Sequence, residues 1–204
     1  MRRRDDLLIG PKERAIEAVK AGRKEEAVKY IEELWEGFKP LHDRYGDWIQ
    51  FLLSFIADKL GEEVVEEALR GIVIDIYKDR FVSTFKTMSA EEIAKSWSQV
   101  SKSHYCDVYV EEDDEKFVLV IPYCGSGGRM QKEARGRKTE KAYPWSFDQE
   151  GVPYYCCHES VFNLMFEELG LGNLKFGYCL QFDDKGNPTG DACRHIVYKE
   201  IPKY

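Results

Sequence analysis

The chain has 204 residues, 43% of them hydrophobic and 33% charged, which is enough apolar content to bury a core and excludes a disordered polymer. A net charge of -7 argues against the basic face of a duplex nucleic-acid binder. No apolar run reaches the roughly 18 residues of a membrane-spanning helix, since the longest, Trp48 to Ile56, is broken by Gln50 and Ser54.

The start, Met1-Arg2-Arg3-Arg4, is not followed by an apolar stretch long enough for a secretion signal, and a cytoplasmic protein is expected. The first hundred residues then read as helices. Pro11 occupies a first-turn position, and Ala15, Ile16 and Val19 recur at helical spacing up to Gly22. A second helix carries Ala27, Val28, Ile31, Leu34, Trp35 and Phe38 on one face and is expected to stop before Pro40. The two form a helical hairpin similar to one unit of a helical repeat. A third helix is expected from about Leu41 to Leu60, closed by Gly61, and a fourth from Glu62 to about Phe81. Ser89 and Glu92 have capping-box spacing and start a fifth, with Ile93 and Trp97.

After Ser103 the period becomes alternating. His104, Cys106, Val108 and Val110 share a face, and Phe117 to Pro122 reads as a second strand. The intervening Glu111 to Glu115 is a solvated hairpin tip rather than a calcium site, for it lacks a glycine-containing ligand loop. Residues 123–153 read as one long loop, a length usually associated with function or mobility. Its basic stretch, Arg129 to Lys141, suits an anionic ligand or plain solvated surface equally. A helix from near His158 to Leu169 follows, stopped by Gly170, and then a hairpin of Leu174–Phe182 with Ala192–Glu200. The expected fold is α+β: N-terminal helices followed by an antiparallel sheet of two hairpins with one inserted helix. Residues 1–100 form a helical region packing on a Cys/His-rich core of residues 101–204, within one compact domain.

All six cysteines, Cys106, Cys124, Cys156, Cys157, Cys179 and Cys193, lie in that core, and His104, His158 and His195 sit beside them. In a reducing compartment such clustering points to metal binding or thiol chemistry rather than to disulfides, with simple packing as the bland alternative. If Val110 pairs with Val118, His104 falls opposite Cys124 and Cys106 opposite Pro122. If Asp183 pairs with Asp191, Cys179 falls opposite His195 and Gln181 opposite Cys193. A one-residue slip would undo either set. One reading is a site for zinc or another transition metal ion, held by Cys179, Cys193 and His195 with Cys157. The other is a nucleophile, Cys124, with His104 as its base and His158 as a further acid–base group. Backbone donors of Gly125, Ser126, Gly127 and Gly128, together with Arg129, would hold the substrate. The turn is not a phosphate-binding loop, because the Gly-Lys-Ser/Thr ending is missing.

The run Tyr155-Cys156-Cys157-His158, then Glu168-Leu169-Gly170-Leu171, Cys179, Asp183 and Gly190-Asp191-Ala192-Cys193-Arg194-His195, resembles two families. One is the L-2-amino-thiazoline-4-carboxylic acid hydrolase-like family, and the other the 4-vinyl reductase domain family. The first resemblance implies functional roles for Cys179, Asp183 and Cys193, with Cys156 or Cys157 as an upstream thiol. The second implies a small-molecule sensor that holds zinc through hairpin cysteines. Arg194-His195 departs from the hydrolase pattern, and Cys124-Gly125-Ser126-Gly127-Gly128 belongs to neither. The expected function is a hydrolase-like enzyme acting on a small polar molecule, a cyclic amidine or a carboxylate-bearing compound, through a Cys/His metal site or an activated cysteine. The alternative is a small-molecule-binding module with a structural zinc. The expected partners are a small-molecule substrate or ligand, with no nucleic acid and no membrane, and a homodimer is an allowed assembly.

Overall fold

A computed structural model of the chain describes residues 9–178, 189 and 192–201. The chain divides into two compact units, Met1–Tyr45 and Gly46–Tyr204. The change of periodicity near residue 100 therefore marks a change of secondary structure, and several helices before it belong to the same unit as the strands.

The first unit contains α1 (Pro11–Lys20) and the beginning of α2 (Lys24–Leu60). Gly22, at φ 73°, supplies the left-handed residue that reverses the chain. Ala15, Ala18 and Ala27 are buried, small side chains suited to close helix approach. The expected stop at Pro40 does not occur, and α2 runs through it. An interior proline costs one helical hydrogen bond, but Glu36, whose carbonyl loses its donor, is exposed to water.

In the second unit, α3 (Glu62–Ile72) passes through one π turn, Val73–Tyr77, into α4 (Lys78–Phe85). α5 (Ala90–Ser103) begins with the expected capping box: Glu92 N–H donates to Ser89 Oγ, and the Glu92 carboxylate accepts from Ser89 N–H. β1 (Asp107–Glu112) and β2 (Lys116–Tyr123) form the first hairpin. The long connection after it contains α6 (Gly127–Lys132) and a single 3-10 turn at Pro144–Ser146. Then come α7 (Cys157–Glu168), β3 (Leu174–Lys175) and β4 (Cys193–Tyr198). The sheet is antiparallel in the order β1-β2-β4-β3, so the α+β class with helices first holds.

Both expected registers are corrected. Val110 faces Leu119, one residue from the expected Val118, and an irregularity between Asp107 and Tyr109 then sets Asp107 against Tyr123. In the second hairpin Leu174 faces Val197, three residues from the expected partner, Glu200. β3 is also short. The side-chain amide of Asn163 on α7 accepts from Phe176 N–H and donates to Phe176 C=O, both at 2.8 Å, so those backbone groups are taken from the ladder. The rest of that expected strand, including Cys179 and Gln181, lies outside the described residues.

Leu119, Val120 and Ile121 of β2 are all buried, so this strand is covered on both faces. The core joins Leu119 and Val197 of the sheet to Leu69, Val73, Ile93 and the α7 residues Val161, Phe162, Met165 and Phe166. Aromatic edges lock it, with ring centroids of Phe81 and Phe162 4.9 Å apart and those of Trp97 and Phe176 5.0 Å apart.

The long connection is fastened to the helices. Buried Gln50 on α2 donates to Arg137 C=O at 2.6 Å and accepts from Tyr155 N–H at 2.8 Å. Glu62, at the start of α3, accepts from the hydroxyls of Tyr143 and Tyr154, each at 2.6 Å, and from Glu140 N–H. These bonds hold the stretch from Arg137 to Tyr155 against α2 and α3. Among the described residues no helix is long and apolar enough to cross a membrane.

Candidate functional site

One cavity of about 320 Å³ lies within the second unit. Its wall is apolar and aromatic on the helical side, with Leu69, Val73, Tyr77, Phe81 and Trp97. On the other side it is lined by Cys106, Cys124, Cys156, Cys193, His104, His158, His195 and Glu159. Sulfur and imidazole groups spread over ninety positions of sequence therefore do converge. Strand alternation places only Cys193 and His195, two apart on β4, on a common face. His104–Cys106 precede β1 and Cys124–Ser126 follow β2, so these residues meet where the two chains leave the sheet.

Cys124 is the focus. The thiol of Cys106 reaches its sulfur, and the backbone N–H groups of Ser126, Gly127 and Gly128 all donate to it. Together these bonds outweigh burial and bring the Cys124 thiol down to about 6. Cys106 moves the opposite way, upward, because its proton is held between two sulfurs and because it is desolvated. That single proton has two acceptors, the carbonyl of His104 at 3.7 Å and the Cys124 sulfur. A charge on Cys124 draws it to the sulfur.

The glycines are required here by space. A β-carbon on Gly127 would run into Cys156 Sγ, and one on Gly125 into the carbonyls of His104 and Tyr105. A side chain at either position would have to displace those atoms.

Burial pushes five other groups at the cavity, Glu159, His158, His195, Cys156 and Tyr155, toward their neutral forms. Glu159, in the first turn of α7, rises to about 8, chiefly through burial and then through the Cys124 charge. Burial lowers His158, whose Nδ1 is bonded to Tyr155 C=O. His195 falls to about 3, through burial and then His158. Burial raises Cys156 and Tyr155. Glu159 Oε2 lies 3.7 Å from His195 Nε2, too far for a hydrogen bond, and at neutral pH the two face each other as acid and uncharged imidazole. His195 is only 4% exposed, packs edge-on against Phe176 at 5.0 Å, and its Nδ1 has no hydrogen-bond partner among the described residues.

The sequence-derived residues fare differently. His104 Nδ1 is 3.0 Å from Ser126 Oγ, so it reaches the Cys124 turn through the serine. Ser126 also bonds Tyr155. Arg129 is not on the wall: it forms buried ion pairs with Asp47 at 2.7 Å and Glu133 at 2.8 Å. Arg137 is likewise paired, with Asp58 and Glu140, so the basic stretch is largely neutralised by its own neighbours. Cys157 turns away from the cavity and donates to Pro153 C=O at 3.6 Å, and Cys179 lies outside the described residues. Among the described residues no three histidine, cysteine or acidic side chains are gathered to hold a metal ion. Of the expected metal-binding residues, Cys193 and His195 line the cavity, while Cys157 does not. Glu159 was not singled out in the sequence, where an acidic residue in a first helical turn reads as a dipole partner.

No protein-family model matches the chain, and neither a curated protein nor a solved structure does.

Proposed function

We propose that the chain is a thiol-dependent enzyme of hydrolase type, cleaving a C–N bond in a small cyclic amidine or amide that has an apolar body. The observation carrying this reading is a cysteine cradled by three backbone amides, facing a cavity that also holds a protonated carboxylic acid. The Cys124 thiolate adds to the electrophilic carbon, forming a C–S bond and shifting the π electrons onto the heteroatom. As the C–N bond breaks, Glu159 gives its proton to the leaving nitrogen. The carboxylate so formed takes a proton from water, which attacks the acyl carbon, and cleavage of the C–S bond restores the thiolate. His195 Nδ1 is available to a polar atom of the substrate, while Tyr77, Phe81 and Trp97 receive its apolar part. No lysine or arginine is among the described lining residues, which favours an amidine or amide over a carboxylate as the buried end.

The apolar wall also supports a second reading, a module that binds a small molecule without turning it over. An acyl-transfer probe separates the two. With p-nitrophenyl acetate the first reading expects a burst of nitrophenol and an acetyl thioester on Cys124, with deacylation slowed in Glu159→Gln. A burst unchanged in Cys124→Ala, or acetylation confined to other residues, would overturn the enzyme reading.

A further inference from the structure

We infer that Cys106 and Cys124 form a thiol–disulfide exchange pair, in which Cys124 reacts with a low-molecular-weight disulfide and Cys106 resolves the adduct. The register carries the argument. Asp107 is paired with Tyr123 at the end of the first hairpin, and Cys106 and Cys124 are the residues immediately beyond that last pair. Facing residues of an antiparallel ladder have Cα atoms about 4.5–5.5 Å apart, inside the roughly 4.4–6.8 Å span that a disulfide bridges. The two sulfurs are already joined by a hydrogen bond. Both side chains are half-buried and line the cavity, so a small disulfide has a route to them.

The neighbouring thiols are placed differently. Cys156 is buried, its sulfur lying against the backbone of Gly127. Cys157 is buried and bonded to Pro153 C=O. Cys193, on β4, is half-buried and lines the cavity too, so burial sets the couple apart from Cys156 and Cys157, and the mutual contact of Cys106 and Cys124 sets it apart from Cys193.

The chemistry closes without a further reagent. The Cys124 thiolate attacks one sulfur of RSSR, forming Cys124–S–S–R and expelling RS⁻. Cys106 then loses its proton to a released thiolate and attacks the Cys124 sulfur. The Cys106–Cys124 disulfide forms and the second RS⁻ leaves. The protein dithiol is oxidised by two electrons, and RSSR is reduced to two thiols. The pair shares its sulfur with the hydrolytic reading but needs no acyl chemistry, and its closure would withdraw the nucleophile.

The test exposes the reduced full-length protein to glutathione disulfide, blocks the remaining thiols by alkylation, and maps the peptides by mass spectrometry. The expected result is a Cys106–Cys124 crosslink without retained glutathione, reversed by dithiothreitol. Cys106→Ser should instead retain a glutathione adduct on Cys124, and Cys124→Ser should give neither product. Three results would overturn the proposal: a stable adduct on Cys124 in the unmutated chain, a crosslink of Cys124 to Cys156, or no reaction at Cys124 in both the unmutated chain and Cys106→Ser. None of these readouts depends on turnover, so loss of the hydrolytic reading would leave this one standing.

Discussion

Replacing Cys106 by alanine removes the largest of the contacts that hold the Cys124 thiol near 6 while leaving the three backbone donors in place. A hydrogen bond to a charged group contributes about 1.5–3 kcal/mol, which is about 1–2 pK units. The Cys124 midpoint should therefore climb from about 6 to about 7–8. At pH 7 the thiolate population would fall from about 90% to between about 10% and 50%. The assay is the rate of iodoacetamide alkylation of Cys124 against pH, read by peptide mass. Cys106→Ala should react about two- to tenfold more slowly at pH 7 and recover the unmutated rate at high pH, where both are ionised. Cys106→Ser keeps a donor in place and should lie nearer the unmutated profile. An unmoved midpoint in Cys106→Ala would refute the reasoning. So would identical shifts in the alanine and serine variants, since the hydrogen bond would then not be the cause.

Part of this site was legible in the sequence. The Cys/His clustering and the glycine-rich turn after Cys124 are features of the sequence, and most of the residues that carry them line one cavity. The capping box at Ser89 and the change of period after Ser103 placed the helices and strands. Registers were not legible, because consecutive residues Leu119, Val120 and Ile121 of β2 are all apolar and buried, a pattern that tolerates a slip, and the irregularity between Asp107 and Tyr109 leaves no mark on the side-chain pattern. Pro40 misled for a related reason: a single lost hydrogen bond is small beside the remaining bonds of a 37-residue helix. Arg129 looked like an anion anchor because its partner Asp47 lies 82 positions away. The role of Gln50 was equally hidden, since a lone glutamine in an apolar run reads as an interruption and here ties two distant backbone segments together.

Two further outcomes follow from burial and charge. Gln50→Leu leaves the Arg137 carbonyl and the Tyr155 N–H without their partner, at about 1–3 kcal/mol each. Urea unfolding should show a loss of about 2–6 kcal/mol, and a loss below about 1 kcal/mol would contradict the tether. Glu159, raised to about 8, stays protonated in the folded chain while the unfolded chain ionises near 4.3. Its favourable state is complete below the unfolded value and is lost as pH rises through about 8. Glu159→Gln should therefore remove part of the decline in stability between about pH 4 and pH 8, and parallel urea-midpoint curves for the two proteins would rule this out.

The electrostatic logic of the cavity explains why one sulfur differs from its neighbours. Burial alone drives each ionisable group to its uncharged form, and Glu159, His158, His195, Cys156 and Tyr155 obey it. Cys124 escapes because the Cys106 thiol, its largest stabilising contact, and three peptide N–H groups donate to it, and the peptide groups neither titrate nor carry a charge of their own. A cationic partner would create an ion pair that a neutral substrate must break, whereas backbone dipoles leave the sulfur able to attack. The same arrangement makes its reactivity depend on the absence of side chains at Gly125 and Gly127. The chemistry of this cavity is thus set by backbone geometry at the end of a hairpin, and the surrounding acids and imidazoles act on a substrate as neutral hydrogen-bonding groups.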